Sequence, residues 1–197
     1  RAVAKFLAGM PQERQIPMFA AEPFTAWFNK RGTKNPTGRP ALLWPDTFNN
    51  YFMAETAEAA TLVLEAAGYR VEIPDGHLCC GRPLYDYGML DTAKRYLERV
   101  LDRLAPHLAL GTPIVVLEPS CCAVFRDELT ALFPDRGDAR QLRDQVVTLS
   151  ELLSSGRVRS RGWAPPRMEG EAIVQGHCHH KAIMKLEPDR AILRETG

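Results

Sequence analysis

All five cysteines of this 197-residue chain fall in three tight groups. They are Cys79-Cys80, followed at once by Gly81; Cys121-Cys122; and Cys178 within Gly176-His177-Cys178-His179-His180. Thiolates held a few ångströms apart are what a soft metal ion or an iron–sulfur cluster needs. Ligands at the ends of separate strands can supply them without being neighbours in sequence. Adjacent cysteines rarely grip one metal together, because their side chains diverge. They can bridge neighbouring irons of a cluster, or one can ligate while the other packs. A disulfide framework spreads its cysteines to staple distant loops, so an odd and clustered count does not suit one. Clusters flanked by His suit metal or redox chemistry in a reducing cytoplasm. The alternatives are buried free thiols and thiol redox chemistry without a metal.

Residue by residue, Cys80, Cys121 and Cys178 lead as metal or cluster ligands, with Cys79 next. Cys121 falls where a helix is expected to start, and there the helix dipole favours thiolate over thiol. Cys122 then either points elsewhere or packs. His179 is a ligand candidate or a partner of one, and His180 reads as a solvated helix-start residue. His77 finishes a loop, and His107 reads as structural. Asp46 is a turn residue by default and a metal-facing carboxylate in the alternative. No catalytic residue is assigned. The chain has no Gly-rich phosphate loop, no G-x-S-x-G and no H-E-x-x-H. A Cys–His nucleophile pair would leave the clustering unexplained.

Composition is that of a globular protein, with 45% apolar and 25% charged residues. A net charge of +1 gives no electrostatic case for a nucleic-acid partner or an acidic membrane surface. No apolar run approaches the ~20 residues that span a bilayer. No membrane span is expected, and peripheral association is left open. Residues Arg1 to Gln15 do not resemble a signal peptide. The length suits one domain, or one and part of another. Because the sequence does not begin with Met and stops soon after a new helix begins, it is read as a piece of a longer protein.

The elements that must position the thiols alternate. Residues 1–40 read as an N-terminal arm, rich in aromatics and broken by prolines. Ala41 to Trp44 is a short buried strand, and Ala54 to Ala67 a helix stopped by Gly68. Tyr69 to Ile73 is a second strand, and Met89 to Leu104 a long amphipathic helix that Pro106 helps to end. Pro113 to Leu117 is a third strand. Ser120 is expected to cap a helix running to about Phe133, before a turn at Pro134 to Gly137. Val146 to Leu153 is ambiguous between strand and helix. Residues 157–170 read as a linker, and Ala172 to Gln175 as a new strand. The alternation argues for an α/β fold: a Rossmann-like parallel sheet with flanking helices. Such sheets bind ligands beyond the carboxyl ends of their strands. Asp46, Cys79-Cys80, Cys121 and Cys178 each follow an expected strand.

Four phrases in this order resemble the cysteine-rich CCG domain family: Leu43-Trp44-Pro45-Asp46-Thr47-Phe48-Asn49-Asn50-Tyr51-Phe52, Cys79-Cys80-Gly81-Arg82-Pro83, Leu117-Glu118-Pro119-Ser120-Cys121 and Gly176-His177-Cys178-His179-His180-Lys181-Ala182. That family includes the cysteine-rich component of heterodisulfide reductase, the iron–sulfur subunits of glycolate oxidase and anaerobic glycerol-3-phosphate dehydrogenase, and lactate-utilisation proteins. The likeness is nearest to the branch fused to FAD-linked oxidases. The resemblance implies two pseudo-repeated α/β halves with a cluster or metal between them. Residues 41–156 would be the first half, and residues 171–197 the start of a truncated second. It further implies a flavin domain and a ferredoxin-like module as partners in the same longer protein, with FAD only outside this chain. Together they would oxidise a small 2-hydroxy acid of the D-lactate or glycolate type, and this region alone would be inactive. The site would hold an iron–sulfur cluster, [4Fe–4S] for instance, or zinc. The chain departs from the family pattern at Asp46, where Cys is usual, and at Val124, where a partner Cys is expected three residues after Cys121. The second half's own CCG triplet is also absent. Two rivals stand beside this reading: a structural zinc module that docks domains, and a metal-free thiol redox protein.

Overall fold

The computed structural model describes residues 2–159 and 162–197. Position 1 of the expected arm and positions 160 and 161 of the expected linker lie outside the described residues. Two short helices come first, α1 (Ala2–Leu7) and α2 (Phe24–Arg31). Strand β1 (Arg39–Trp44), α3 (Thr47–Tyr51), α4 (Ala54–Ala66) and β2 (Tyr69–Glu72) follow. Next come α5 (Arg82–Asp86), α6 (Leu90–Ala109), β3 (Ile114–Val116) and α7 (Pro119–Ala123). A π-helical turn at Val124–Glu128 joins α7 to α8 (Leu129–Leu132). The rest is α9 (Gly137–Gln145), β4 (Val146–Thr148), α10 (Leu149–Ser154), α11 (Gly156–Arg159), a second π turn (His180–Met184) and α12 (Glu187–Thr196).

The four strands form one parallel sheet in the order β2-β1-β3-β4. The fold is therefore α/β, with helices on both faces. Alternate side chains of a strand face opposite sides, and the two cores follow that period. Leu42, Trp44, Ile114, Val116 and Val146 pack with Leu97, Leu101, Leu104 and Phe125. Ala41, Leu43, Val71 and Val115 pack with Ala57, Ala60, Leu64, Leu152 and Leu153. Phe24 and Phe28 of α2 are buried in this second core, so part of the expected arm covers the sheet. Arg31 grips Glu65 of α4 through two bonds of 2.7 and 2.9 Å.

Three local expectations need correction, and one ambiguity is resolved. Helix α6 runs through Pro106 to Ala109. Proline there withholds one N–H, but Leu108 is buried and holds the last turn in place. The end is set by Gly111 at φ 65°, with Thr112 N–H on the His107 carbonyl and Gly111 N–H on that of Leu108. That pairing is a Schellman close. The helix after β3 is capped by Glu118, whose side chain accepts from Ser120 N–H at 2.9 Å. Ser120 therefore sits inside the first turn. Val146 to Leu153 divides into β4 and α10, joined by a Thr148–Glu151 capping box. Ala172 to Gln175 is not a strand. Its apolar residues suit one, but a strand needs a hydrogen-bonding neighbour and this segment pairs with none of the four; Ile173 is fully exposed.

Candidate metal centre

The chain leaves β1 for the neighbouring outer position at β2, then returns past β1 to β3. The sheet's switch point thus lies between β1 and β3, where ligands sit in open α/β sheets. A pocket of about 220 Å³ opens there, lined by Trp44, Asp46, Cys79, Cys80, Arg82, Glu118 and Cys121 among others. Three separate connections build it: the segment after β1, the loop after β2 and the first turn of α7.

Cys80 and Cys121 meet in this pocket with their sulfurs 3.0 Å apart, across 41 positions of sequence. Both are buried, at 4% and 8% exposure. Cys79, half-buried beside them, has its sulfur 3.5 Å from the Gly81 N–H. Gly81 itself stands at φ 77°, a conformation that strains any side-chain-bearing residue. That bend turns the chain from the two thiols into α5. The bond with Cys121 and then burial push the Cys80 thiol up, despite its contact with Cys79. Cys79 is also raised, first by its bond to Cys80 and then by burial. Both shifts favour the neutral thiols, so a cation held by these sulfurs would have to displace their protons. Tetrahedral zinc with Zn–S near 2.3 Å separates its sulfurs by about 3.8 Å, so this pair needs only a small spreading to ligate. Trp44, which lines the same pocket, keeps a buried indole N–H without a hydrogen-bond partner. Thiol donors plus an orphaned N–H suit a group that carries sulfur or another acceptor. Cys122 belongs to the same core but does not line the pocket, and desolvation pushes its thiol up to about 12.

Asp46 is 2% exposed and caps α3. Its Oδ1 accepts from Phe48 and Asn49 N–H, each at 3.0 Å, and its Oδ2 from Asn49 Nδ2 at 2.7 Å. Burial pushes its carboxyl above the ordinary range, against the bonds from Asn49 and Phe48; Glu118 adds like charge. Val124 opens the π turn and is buried in the first core, so the expected partner-Cys position serves packing. π turns recur at functional sites.

Cys178 lies elsewhere. It is exposed, with its sulfur 3.8 Å from His177 Nδ1. Among the described residues, the group of three ligating atoms within 4.8 Å of one another is His177, Cys178 and His179. No such group joins Cys178 to Cys80 and Cys121. The second π turn still packs on α7, and Met184 enters the same core as Cys80 and Cys121.

Arg82 links the two regions. It donates from Nη2 to His179 Nε2 at 2.9 Å, from Nε to Asp86 at 3.1 Å, and from Nη1 to Glu128 in the first π turn. Arg82 and Glu118 lie within the sequence motifs without an expected role, and Glu128 lies outside them. The signal for Arg82 was its place two residues after a buried thiol pair. No sequence signal marked Glu128.

Residues 47–126 match the family described as the CCG cysteine-rich domain, which spans Cys79 to Cys121. The chain is 32% identical over 108 residues to Lactate utilization protein A of Bacillus velezensis, covering 52% of this chain and 42% of that protein. It is 28% identical over 106 residues to Lactate utilization protein A of Bacillus subtilis, with the same 52% and 42% coverage. The protein of that name from Bacillus cereus is 28% identical over 147 residues, covering 72% of this chain and 58% of that protein. The chain spans about half the length of the curated relatives it matches. No solved structure matches it. Among the described residues, no helix is long and apolar enough to cross a membrane.

Proposed function

We propose that this chain, which carries a CCG cysteine-rich domain at residues 47–126, is the metal-binding, iron–sulfur-type electron-transfer region of an oxidoreductase acting on lactate or a similar 2-hydroxy acid. The observation that carries the reading is the Cys80–Cys121 pair, 3.0 Å apart at the sheet's switch point. Cys79, Cys80 and Cys121 would hold the centre, with Cys178 as the further thiolate from the adjoining segment. Asp46 and His179 would stand close behind. A centre bound there supplies one-electron transfer. The chain's own part is to hold the thiols in a covered pocket, keep water off, and brace the loops through Arg82 and the Asp46 and Glu118 caps. The lactate-utilisation names of the relatives support the substrate class. An FAD-bearing domain and a ferredoxin-like module of a longer cytoplasmic protein complete the proposal.

The test is iron, sulfide and zinc content of anaerobically purified full-length protein, with electron paramagnetic resonance before and after a 2-hydroxy acid is added. An iron signal that substrate reduces, and that Cys80→Ser and Cys121→Ser abolish, is the expected result. Stoichiometric zinc without a redox signal would replace the reading with a structural docking module. The nitrogen donors of the His177-Cys178-His179 group are the observation favouring that second reading. Activity without metal, lost on alkylating Cys79 or Cys80, would mark a thiol redox protein instead.

A further inference from the structure

We propose that Arg82 is a positioning residue that fixes His179 in the Nδ1–H tautomer, making His179 a hydrogen-bond donor to the sulfur of Cys178 and not a metal ligand. The proposal deepens the functional reading above, and its sulfur acceptor rests on that reading.

A guanidinium has five N–H donors and no acceptor. At 2.9 Å from Arg82 Nη2, His179 Nε2 must therefore present its lone pair. In a neutral imidazole the proton then sits on Nδ1. Neither nitrogen is left free for a cation: Nε2 is occupied and Nδ1 is protonated. The His177, Cys178 and His179 atoms converge within 4.8 Å, yet His179 can join a metal only by displacing Arg82. Arg82 is not easily displaced. Asp86, one turn further along α5, and Glu128, in the π turn after α7, hold its other nitrogens.

A second observation points the same way. His179 Nδ1 is buried and has no hydrogen-bond partner. A buried N–H without an acceptor is unfavourable, so the arrangement calls for one. Cys178 is the adjacent residue; its sulfur lies within 4.8 Å of a ring nitrogen of His179 and, as the neutral thiol of this structure, does not bond to Nδ1. As a neutral thiol it accepts poorly; as a metal-bound thiolate it accepts well. Hydrogen bonds to cluster sulfurs help to set reduction potential. Arg82 lies two residues after Cys80, so the same side chain connects the first thiol pair to the second cysteine's neighbour.

The experiment is nitrogen-15 NMR of the whole chain labelled at histidine, metal-free and after zinc is added. The metal-free chain is expected to show His179 as the Nδ1–H tautomer. Arg82→Met should switch it to Nε2–H, while Arg82→Lys, which keeps a donor, should retain Nδ1–H. Should the Met variant fail to fold, the wild-type and Lys spectra decide. With zinc bound, the His179 nitrogens should keep their hydrogen-bonded shifts. An Nε2–H tautomer in the metal-free chain, or His179 shifts that move to metal-bound values, overturns the inference. In the full-length protein with an iron–sulfur centre, His179→Leu should lower the midpoint potential, and His179→Asn, whose amide N–H replaces Nδ1–H, should restore it. An unchanged potential in the Leu variant also overturns it. The two failures are distinguishable. The wrong tautomer overturns the pairing whatever the centre is. A chain that binds no metal with the tautomer intact overturns the functional reading and, with it, the sulfur acceptor.

Discussion

Cys121 and Cys178 occupy similar local settings and opposite surroundings. Each lies in the first turn of a helical stretch that winds into a π turn within a few residues. Cys121 is fed by β3, which is paired on both sides, and its sulfur is buried against Cys80. Cys178 follows a segment with no strand partner, and its sulfur is exposed. A motif by itself therefore does not make a site. The strand that leads into it decides whether the thiol enters covered space or stays in water. Arg82 is the contact by which the second setting leans on the first.

The strongest way to break this comparison is to weaken the wall behind Cys121. Phe125 is fully buried and meets Trp44 edge-on, with ring centroids 5.0 Å apart. Phe125→Ala should cost about 3–5 kcal/mol in urea unfolding of the metal-free chain. A loss under ~1 kcal/mol would mean the pocket wall is not packed as described. Asp46→Ala removes the acceptor of two backbone N–H groups and of Asn49. It should cost about 1–2 kcal/mol, and Asp46→Asn, which still caps, clearly less. Equal losses in the two variants would show that the charge, not the cap, is what α3 needs.

Timed alkylation under native conditions sharpens the contrast directly. Cys178 should react first, Cys79 next, and the buried Cys80, Cys121 and Cys122 only as the chain opens. Early labelling of Cys121 would contradict its burial. On the exposed side, Ile173→Ser should change stability by no more than about 0.5 kcal/mol, because its side chain loses no contact. A larger loss would reveal packing of the 172–175 segment.

The smallest effect is a pH dependence at the surface. The bond from Arg136 holds the Asp138 carboxyl below its usual range. Its folded pKa is depressed, so its contribution is present above the unfolded pKa and lost as pH falls through the folded one. Both side chains are about one-third exposed, so solvent screening leaves only a few tenths of a kcal/mol. Asp138→Asn should flatten the acid limb of the stability profile by that amount, and a profile unchanged by the substitution would remove the pair from consideration.

The sequence by itself carried the alternation of strand and helix, since apolar runs of four and amphipathic runs of fifteen or so are local signals. It also carried the gathering of Cys80 with Cys121, because each follows a strand of one parallel sheet and such strands end on the same edge. What only the tertiary structure decided depends on partners. Ala172 to Gln175 has a strand's composition and lacks a strand's neighbour. Pro106 reads as a stop, yet the buried Leu108 carries α6 past it to Gly111. Arg82 lies 46 positions from Glu128 and 97 from His179, and it bonds to both. No local pattern marks such a contact, because hydrogen bonds are made by proximity in space, and that proximity exists only after the sheet has formed.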